Sequence, residues 1–209
     1  MKVLLVNGSP HENGCTYTAL SEIAKTLNEE GIETEIFHIG TEPISGCRGC
    51  GACKKLKLGK CVVDDIVNVF AAKAKEADGF VFGSPVHYAS MGGSLAAFMD
   101  RLFYSSGKAT MRLKPAAAVA SARRAGTTAT LDIINKYFTI SEMPVVSSRY
   151  WNMVHGSTPD DVLKDEEGIA TMRTLARNMA YFLKALDAAK QAGIPLPTEE
   201  PPVRTNFIR

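Results

Sequence analysis

The sequence has no surplus of either charge: 24 Lys plus Arg stand against 22 Asp plus Glu. A general nucleic-acid binder needs a basic excess or a dense basic patch to neutralise phosphates. The nearest thing to such a patch is Lys54, Lys55, Lys57 and Lys60, so a nucleic-acid partner is not expected. Also missing is any apolar run approaching the roughly 18 residues that a membrane span takes. The opening "MKVLLVNGSP" has too short an apolar stretch for a signal peptide. A reducing, cytoplasmic location is therefore expected, where structural disulfides are uncommon. Two nucleotide fingerprints are absent as well. No lysine follows the first glycine-rich loop as in a P-loop, and there is no G-x-G-x-x-G. Internal repeats and low-complexity linkers are lacking too.

What the chain does have is alternation. Its 209 residues are 45% hydrophobic, enough for one well-cored domain. Short apolar runs at 2–8, 33–39, 79–85, 115–122 and 143–149 predict five strands. Between them, helical spacing predicts helices over 19–31, 64–77, 93–104 and 127–140. A long last helix, 166–192, is expected to bury Ile169, Met172, Leu175, Ala176, Met179, Phe182 and Leu186 on one face. Strict strand–helix alternation predicts an α/β fold with a parallel sheet covered on both faces. Residues 1–192 then form one domain with a cysteine-rich insert at 46–62. The tail 193–209 holds four of the ten prolines and is expected to be extended, either fraying or packing on a neighbouring subunit.

In such a sheet, ligands bind beyond the carboxyl ends of the strands. Three loops fall there. "GSPHENGCT" (8–16) offers side-chain donors on Ser9, Asn13 and Thr16, with Gly8 and Gly14 permitting close backbone approach at a helix N-terminus. Hydroxyl and amide donors without a lysine suit a monophosphate, although an ordinary polar turn has the same composition. "GSPVHYASMGG" (83–93) puts an aromatic, a thioether and backbone amides where they can line a planar ring. Its His87 is read as a packing or hydrogen-bonding residue before a catalytic one. "SARRAGTT" (121–128) brings small residues with Arg123 and Arg124, which balance an anion or simply sit in solvent before a helix.

"CRGCGACKKLKLGKC" (47–61) packs four of the five cysteines into the spacing Cys-x2-Cys-x2-Cys-x7-Cys. Closely spaced thiolates of this kind, Cys47, Cys50, Cys53 and Cys61, suit a cubane 4Fe-4S cluster. A zinc site more often splits its ligands into two pairs. Cluster, unmetallated thiols and zinc all stay open on the sequence, in that order of preference.

Together, "VNGSPHENGCT", "GSPVHYASMGGSLAAFMDRL" and "SARRAG" resemble the flavodoxin-like NAD(P)H-dependent FMN oxidoreductases. With the cysteine run added, the chain is most similar to the iron-sulfur flavoproteins, whose three close cysteines are followed by a fourth four to seven residues on. Here the gap of seven lies at the upper edge. The resemblance implies a five-stranded parallel sheet of order 2-1-3-4-5, one FMN per protomer, NAD(P)H as electron donor, and a homodimer or homotetramer. It matches Ser9, Asn13 and Thr16 to the phosphate loop, with Cys15 where such loops often have Asn. Pro85, Val86, His87, Tyr88, Met91 and Gly92 match the loop along the isoalloxazine, His87 standing where an aromatic is frequent. Ala122, Arg123 and Gly126 match the third loop. The expected activity is flavin-mediated oxidoreduction. A non-enzymatic electron carrier reduced by a ferredoxin-like partner is the alternative.

The four clustered cysteines are expected to act as a unit. After anaerobic reconstitution, serine at any one of Cys47, Cys50, Cys53 or Cys61 should abolish stable iron and sulfide uptake, and Cys15→Ser should not. Iron and sulfide assays on the five single variants check this; uptake surviving at any of the four contradicts it.

Overall fold

β1 (Lys2–Asn7) is buried from Val3 onward, and its residues divide by parity between two cores. Val3 and Leu5 face one side of the sheet and Leu4 and Val6 the other, as the period of two demands of a strand covered on both faces. The computed structural model describes residues 1–201, 203 and 205–207. β1 leads into α1 (Cys15–Glu29) and β2 (Glu33–His38). After the cysteine segment, with its short α2 (Ala52–Lys55), come α3 (Ile66–Ala74) and β3 (Gly79–His87). β3 turns back on itself through β4 (Ser90–Met91). α4 (Gly93–Leu102), a π-helical turn (Phe103–Gly107) and α5 (Lys108–Met111) lead to β5 (Ala116–Ala122) and α6 (Thr127–Ile140). The chain ends with β6 (Met153–His155), α7 (Pro159–Lys164) and α8 (Glu166–Gln191).

The parallel strands run in the order β2-β1-β3-β5-β6, with β4 paired only to β3. Setting that hairpin strand aside, this is the expected 2-1-3-4-5 order. α1 and α8 cover one face, where Leu20, Ile23 and Leu27 meet Met172, Leu175 and Met179. On the other, α3, α4 and α6 enclose an aromatic cluster in which the Phe70 ring lies 5.2 Å from Phe37, 5.4 Å from Phe98 and 6.1 Å from Phe82.

Several expected boundaries move. The fifth strand is Met153–His155 rather than 143–149: Val145 makes only a single bridge to Ala116, and pairing with β5 resumes where Ala120 meets Met153. The intervening polar stretch loops out because Ser148 Oγ donates to the Tyr150 carbonyl at 2.6 Å and bonds Asn152 Oδ1 at 2.7 Å. Helix one starts at Cys15 instead of 19, taking Cys15 and Thr16 out of the loop. Helix four passes into a π turn because Ser105 and Ser106 donate back to the carbonyls of Arg101 and Leu102 at 2.7 and 3.0 Å, a habit that bends helices. On α8 the buried stripe passes from Met179 to Leu183, and Phe182 and Leu186 are exposed. No residue of that helix after Leu183 is buried.

The tail beyond Gln191 has no regular structure among its described residues. Arg112 reaches it, donating to the Pro197 carbonyl at 3.3 Å and pairing with Glu199 at 3.1 Å. Positions 202, 204, 208 and 209 of the expected extended tail lie outside the described residues.

Beyond the carboxyl end of β1, the Gly8 amide continues the pairing with β3 by donating to the Gly83 carbonyl at 2.9 Å. A Cβ on Gly8 would stand 2.8 Å from that oxygen and 2.8 Å from Leu95 Cδ2. Gly8→Ala is therefore expected to destabilise the fold by about 1–3 kcal/mol through overpacking, measured as a lowered urea midpoint at unchanged slope.

Candidate functional site

The first strand-end loop is organised from beneath by Asn7, a fully buried residue that sequence reasoning passed over. Its Oδ1 accepts from the Ser9 amide at 3.1 Å and its Nδ2 donates to the Glu12 carbonyl at 2.9 Å. An Asn closing an apolar strand just before Gly-Ser-Pro was the available signal, since Asn side chains readily shape such turns. His38, at the end of β2, adds a ring nitrogen 2.8 Å from the Ser9 carbonyl. The Ser9 side chain accepts from the His11 amide at 3.1 Å, which leaves its hydroxyl proton to donate. Asn13 is exposed.

Thr16 behaves differently from the expectation. Its hydroxyl is buried and lies 2.8 Å from Ser121 Oγ, joining α1 to β5. Its remaining donor at the loop is its main-chain amide, one of the first-turn amides that no helix bonds internally. Cys15 opens the helix, half-buried, with Sγ 3.7 Å from the Gly156 carbonyl. Burial pushes this thiol's pKa up, against a smaller opposing backbone hydrogen bond and with Asp161 adding to the rise.

The second loop is a tight hairpin. Val86 pairs with Met91 and His87 with Ser90, and Tyr88 and Ala89 both take positive φ, 50° and 56°, as a two-residue hairpin turn of the primed type requires. Pro85 and Val86 are half-buried, Met91 and Gly92 buried, and His87 and Tyr88 project into solvent. Ser84 Oγ accepts from the Gly92 amide at 3.0 Å and fixes the return of the hairpin. The third loop packs against the second. Gly126, at φ +92°, leaves room for the hairpin, since a Cβ there would meet Val86 Cγ1 at 2.8 Å and Ala89 Cα at 2.9 Å. Ala122 is half-buried and Arg123 and Arg124 are exposed. His155, at the end of β6, was not singled out by the sequence; its Nε2 lies 3.1 Å from the Arg124 carbonyl and holds the loop from the far side.

These loops share one electrostatic feature. α1, α4 and α6 begin on Gly14, Gly92 and Gly126, and none has a side-chain cap. By contrast α3, α7 and α8 are capped by Asp65, Thr158 and Asp165. Donor-rich, positively polarised helix starts are thus left open beyond the carboxyl ends of β1, β3 and β5.

The cysteine segment forms a separate centre. All five cysteines are free thiols. Cys47, Cys50, Cys53 and Cys61 line one cavity of ≈ 310 Å³ together with Val62, Val63, Arg101 and Tyr104. Among the described residues no three His, Cys, Asp or Glu side chains gather around a point able to hold one metal ion. Cys61 is the best anchored of the four: Asn68 accepts from its amide at 3.0 Å and donates to its carbonyl at 2.9 Å. Arg101, buried in α4, bonds both oxygens of Asp65 and the Val63 carbonyl, at 2.8 Å for the latter. Its Nε has no partner, an omission that ordinarily costs about 1–3 kcal/mol for a buried donor. Burial lowers the Arg101 pKa, but the bonds to Asp65 and the nearness of Cys61 outweigh it and the net direction is upward. A wider groove adjoins the cavity through Cys53, Tyr104 and Ser105 and carries Lys54, Lys57 and Lys108.

The glycine-opened loops and the parallel sheet define an open α/β class with a ligand site at the carboxyl edge of its strands, and the comparisons say which. The sequence model of the NADPH-dependent FMN reductase family matches residues 1–158, and the chain belongs to that family, whose chemistry is FMN-dependent oxidoreduction. An iron-sulfur flavoprotein of Methanocaldococcus jannaschii is 34% identical over 193 residues, covering 89% of this chain and 99% of the relative. A second from the same organism is 30% identical over 197 residues, covering 88% and 98%. A solved flavodoxin from the domain Archaea superposes with a TM-score of 0.58 at 17% identity, over 88% of this chain and 99% of that one, and shares the fold. Among the described residues no helix is long and apolar enough to cross a membrane.

The raised Cys15 pKa has a measurable sign. In a variant with Cys47, Cys50, Cys53 and Cys61 all replaced by Ser, the alkylation rate of Cys15 should inflect above the ~8.5 of a free cysteine. An inflection at or below that value contradicts the buried setting.

Proposed function

We propose that the protein holds FMN across the three strand-end loops, takes electrons from NAD(P)H, and passes them to a small-molecule or protein acceptor by way of a 4Fe-4S cluster in the cysteine cavity. The observation that carries the reading is the set of three uncapped, glycine-started helices at adjacent strand ends. Ser9, Asn13 and the first-turn amides of α1 present donors to the phosphate, with Cys15 and Thr16 contributing main-chain rather than side-chain groups. The hairpin residues Pro85, Val86, His87, Tyr88, Met91 and Gly92 flank one edge of the ring, and Ala122, Arg123 and Gly126 the other. Bound FMN supplies hydride acceptance and onward electron transfer; the chain's part is to orient the ring and set its surroundings.

The cysteine cavity fits a cluster better than a single ion. Ligands of one zinc ion must meet at a point, whereas cluster ligands bind separate irons around a bulky core, as thiols lining a cavity wall do. The unpartnered Arg101 Nε points to an acceptor-bearing, anionic occupant. A cluster there supplies one-electron storage.

A second reading has its own support. Lys54, Lys55, Lys57 and Lys60 are exposed around the cysteine cavity, a surface suited to an acidic, ferredoxin-like electron donor. In that case the protein is a carrier and not a pyridine-nucleotide oxidase. For assembly, exposed Phe182 and Leu186 on α8 and Ile194 and Leu196 on the tail support a homodimer or homotetramer, which light scattering checks against the 22.5 kDa chain.

Anaerobically purified protein should carry flavin absorbance and oxidise NADPH or NADH rapidly with an artificial acceptor. Flavin without pyridine-nucleotide turnover would favour the carrier reading, and absence of flavin uptake would overturn both. Ser9→Ala should weaken FMN binding by about 1.5–3 kcal/mol, the range for a hydrogen bond to a charged group. Unchanged FMN affinity would remove Ser9 from the phosphate site.

A further inference from the structure

The side chain of Arg101 is 1% exposed and is the largest fully buried one among the described residues. Every group it bonds flanks the cysteine run. Nη1 donates to Asp65 Oδ2 and, at 3.4 Å, to the Ser45 carbonyl. Nη2 donates to Asp65 Oδ1 at 2.9 Å and to the Val63 carbonyl at 2.8 Å. Ser45 precedes Cys47, and Val63 and Asp65 follow Cys61. One side chain on α4 therefore fastens both ends of the segment that carries the four thiols.

Fastening uses four of the five N–H groups of an arginine. The fifth, on Nε, is buried and unbonded in a side chain that lines the same cavity as Cys47, Cys50, Cys53 and Cys61. A purely structural tie gains nothing from burying a spare donor and a full charge against a single carboxylate. An occupant that is anionic and presents sulfur acceptors accounts for both. The rest of that wall includes Val62, Val63 and Tyr104, none of which carries a charge.

We infer that Arg101 is a positioning residue for the cluster, donating from Nε to a sulfur near Cys61 and drawing the reduction potential upward. The inference rests on the cavity being a cluster site. Hydrogen bonds to sulfur and nearby charge are among the quantities that set such potentials. Reduction adds one electron and one negative charge, which the fixed guanidinium charge favours; no bond forms or breaks at Arg101.

The test compares wild type with Arg101→Lys after anaerobic reconstitution with iron and sulfide. Iron and sulfide are assayed, and the midpoint is followed by electron paramagnetic resonance during a reductive titration with dithionite. The variant keeps the charge and loses the Nε donor. It should retain iron while its one-electron equilibrium shifts about tenfold toward the oxidised form, which is 59 mV. Full iron with an unchanged midpoint overturns the role of Arg101 and leaves the cluster reading standing. A wild type that takes up no iron or sulfide overturns both. If the variant fails to fold or hold iron, the decision passes to an Arg48→Lys background, since Arg48 also lines the cavity. There, arginine isotopically labelled at Nε should give a nitrogen hyperfine coupling to the reduced cluster; its absence overturns the hydrogen bond.

Discussion

The close approach of main chain to main chain beyond β1 and β3 governs the site. Gly8 donates to Gly83 at 2.9 Å with no side chain on either residue, and a Cβ on Gly83 would meet Thr16 Cγ2 at 2.8 Å. The start of α1 can therefore lie directly over the strand ends. Gly126 extends the same principle to the third loop, where its positive φ lets α6 begin against the β3–β4 hairpin. Remove the space and the three helix starts no longer share one surface.

That surface is left chemically unfinished. Of the helices starting elsewhere, α3, α7 and α8 receive an Asp or Thr cap, with a full capping box at Thr158 and Asp161 on α7, and only the four-residue α2 and α5 go without. The first-turn amides of α1, α4 and α6 receive none from side chains. Capping by Ser, Thr, Asp or Asn typically contributes about 1 kcal/mol per helix. Forgoing it at three helices, all starting at the carboxyl edge of the sheet, trades local stability for donors that a ligand can use. The hydroxyl of Thr16, inside the first turn of α1, bonds Ser121, and Ser84 accepts only from the amide of Gly92 itself.

The cysteine segment obeys other rules. It contributes nothing to the sheet, and Gly49, Gly51 and Gly59 wind it through positive φ. Its order comes from side chains of the domain beneath, Asn68 on α3 around Cys61 and Arg101 on α4 at both flanks. The lysine side of the segment is pinned more lightly, with Lys54 lying 4.1 Å over the Tyr104 ring. The electron path in the proposed chemistry thus joins a rigid site built from backbone to a loop held by a few polar contacts.

The sequence by itself determined the elements whose signals are local. Short apolar runs located four of the five parallel strands, helical spacing located α6 at its observed ends, and cysteine spacing marked the second centre. The three loops were legible because glycine, proline and hydroxyl residues follow strand ends. Only the tertiary structure decided what depends on distant partners. β6 forms at Met153 because Ser148 loops out the chain before it, and no local propensity separates that from pairing at 143–149. Thr16 turns inward because Ser121, far along the chain, receives it. Arg101 sits in a helix with nothing in its neighbourhood to distinguish it from a solvated arginine. Its burial follows from where α4 packs against the ends of the cysteine run, and hydrogen bonds between residues so far apart in sequence leave no periodic trace to be read.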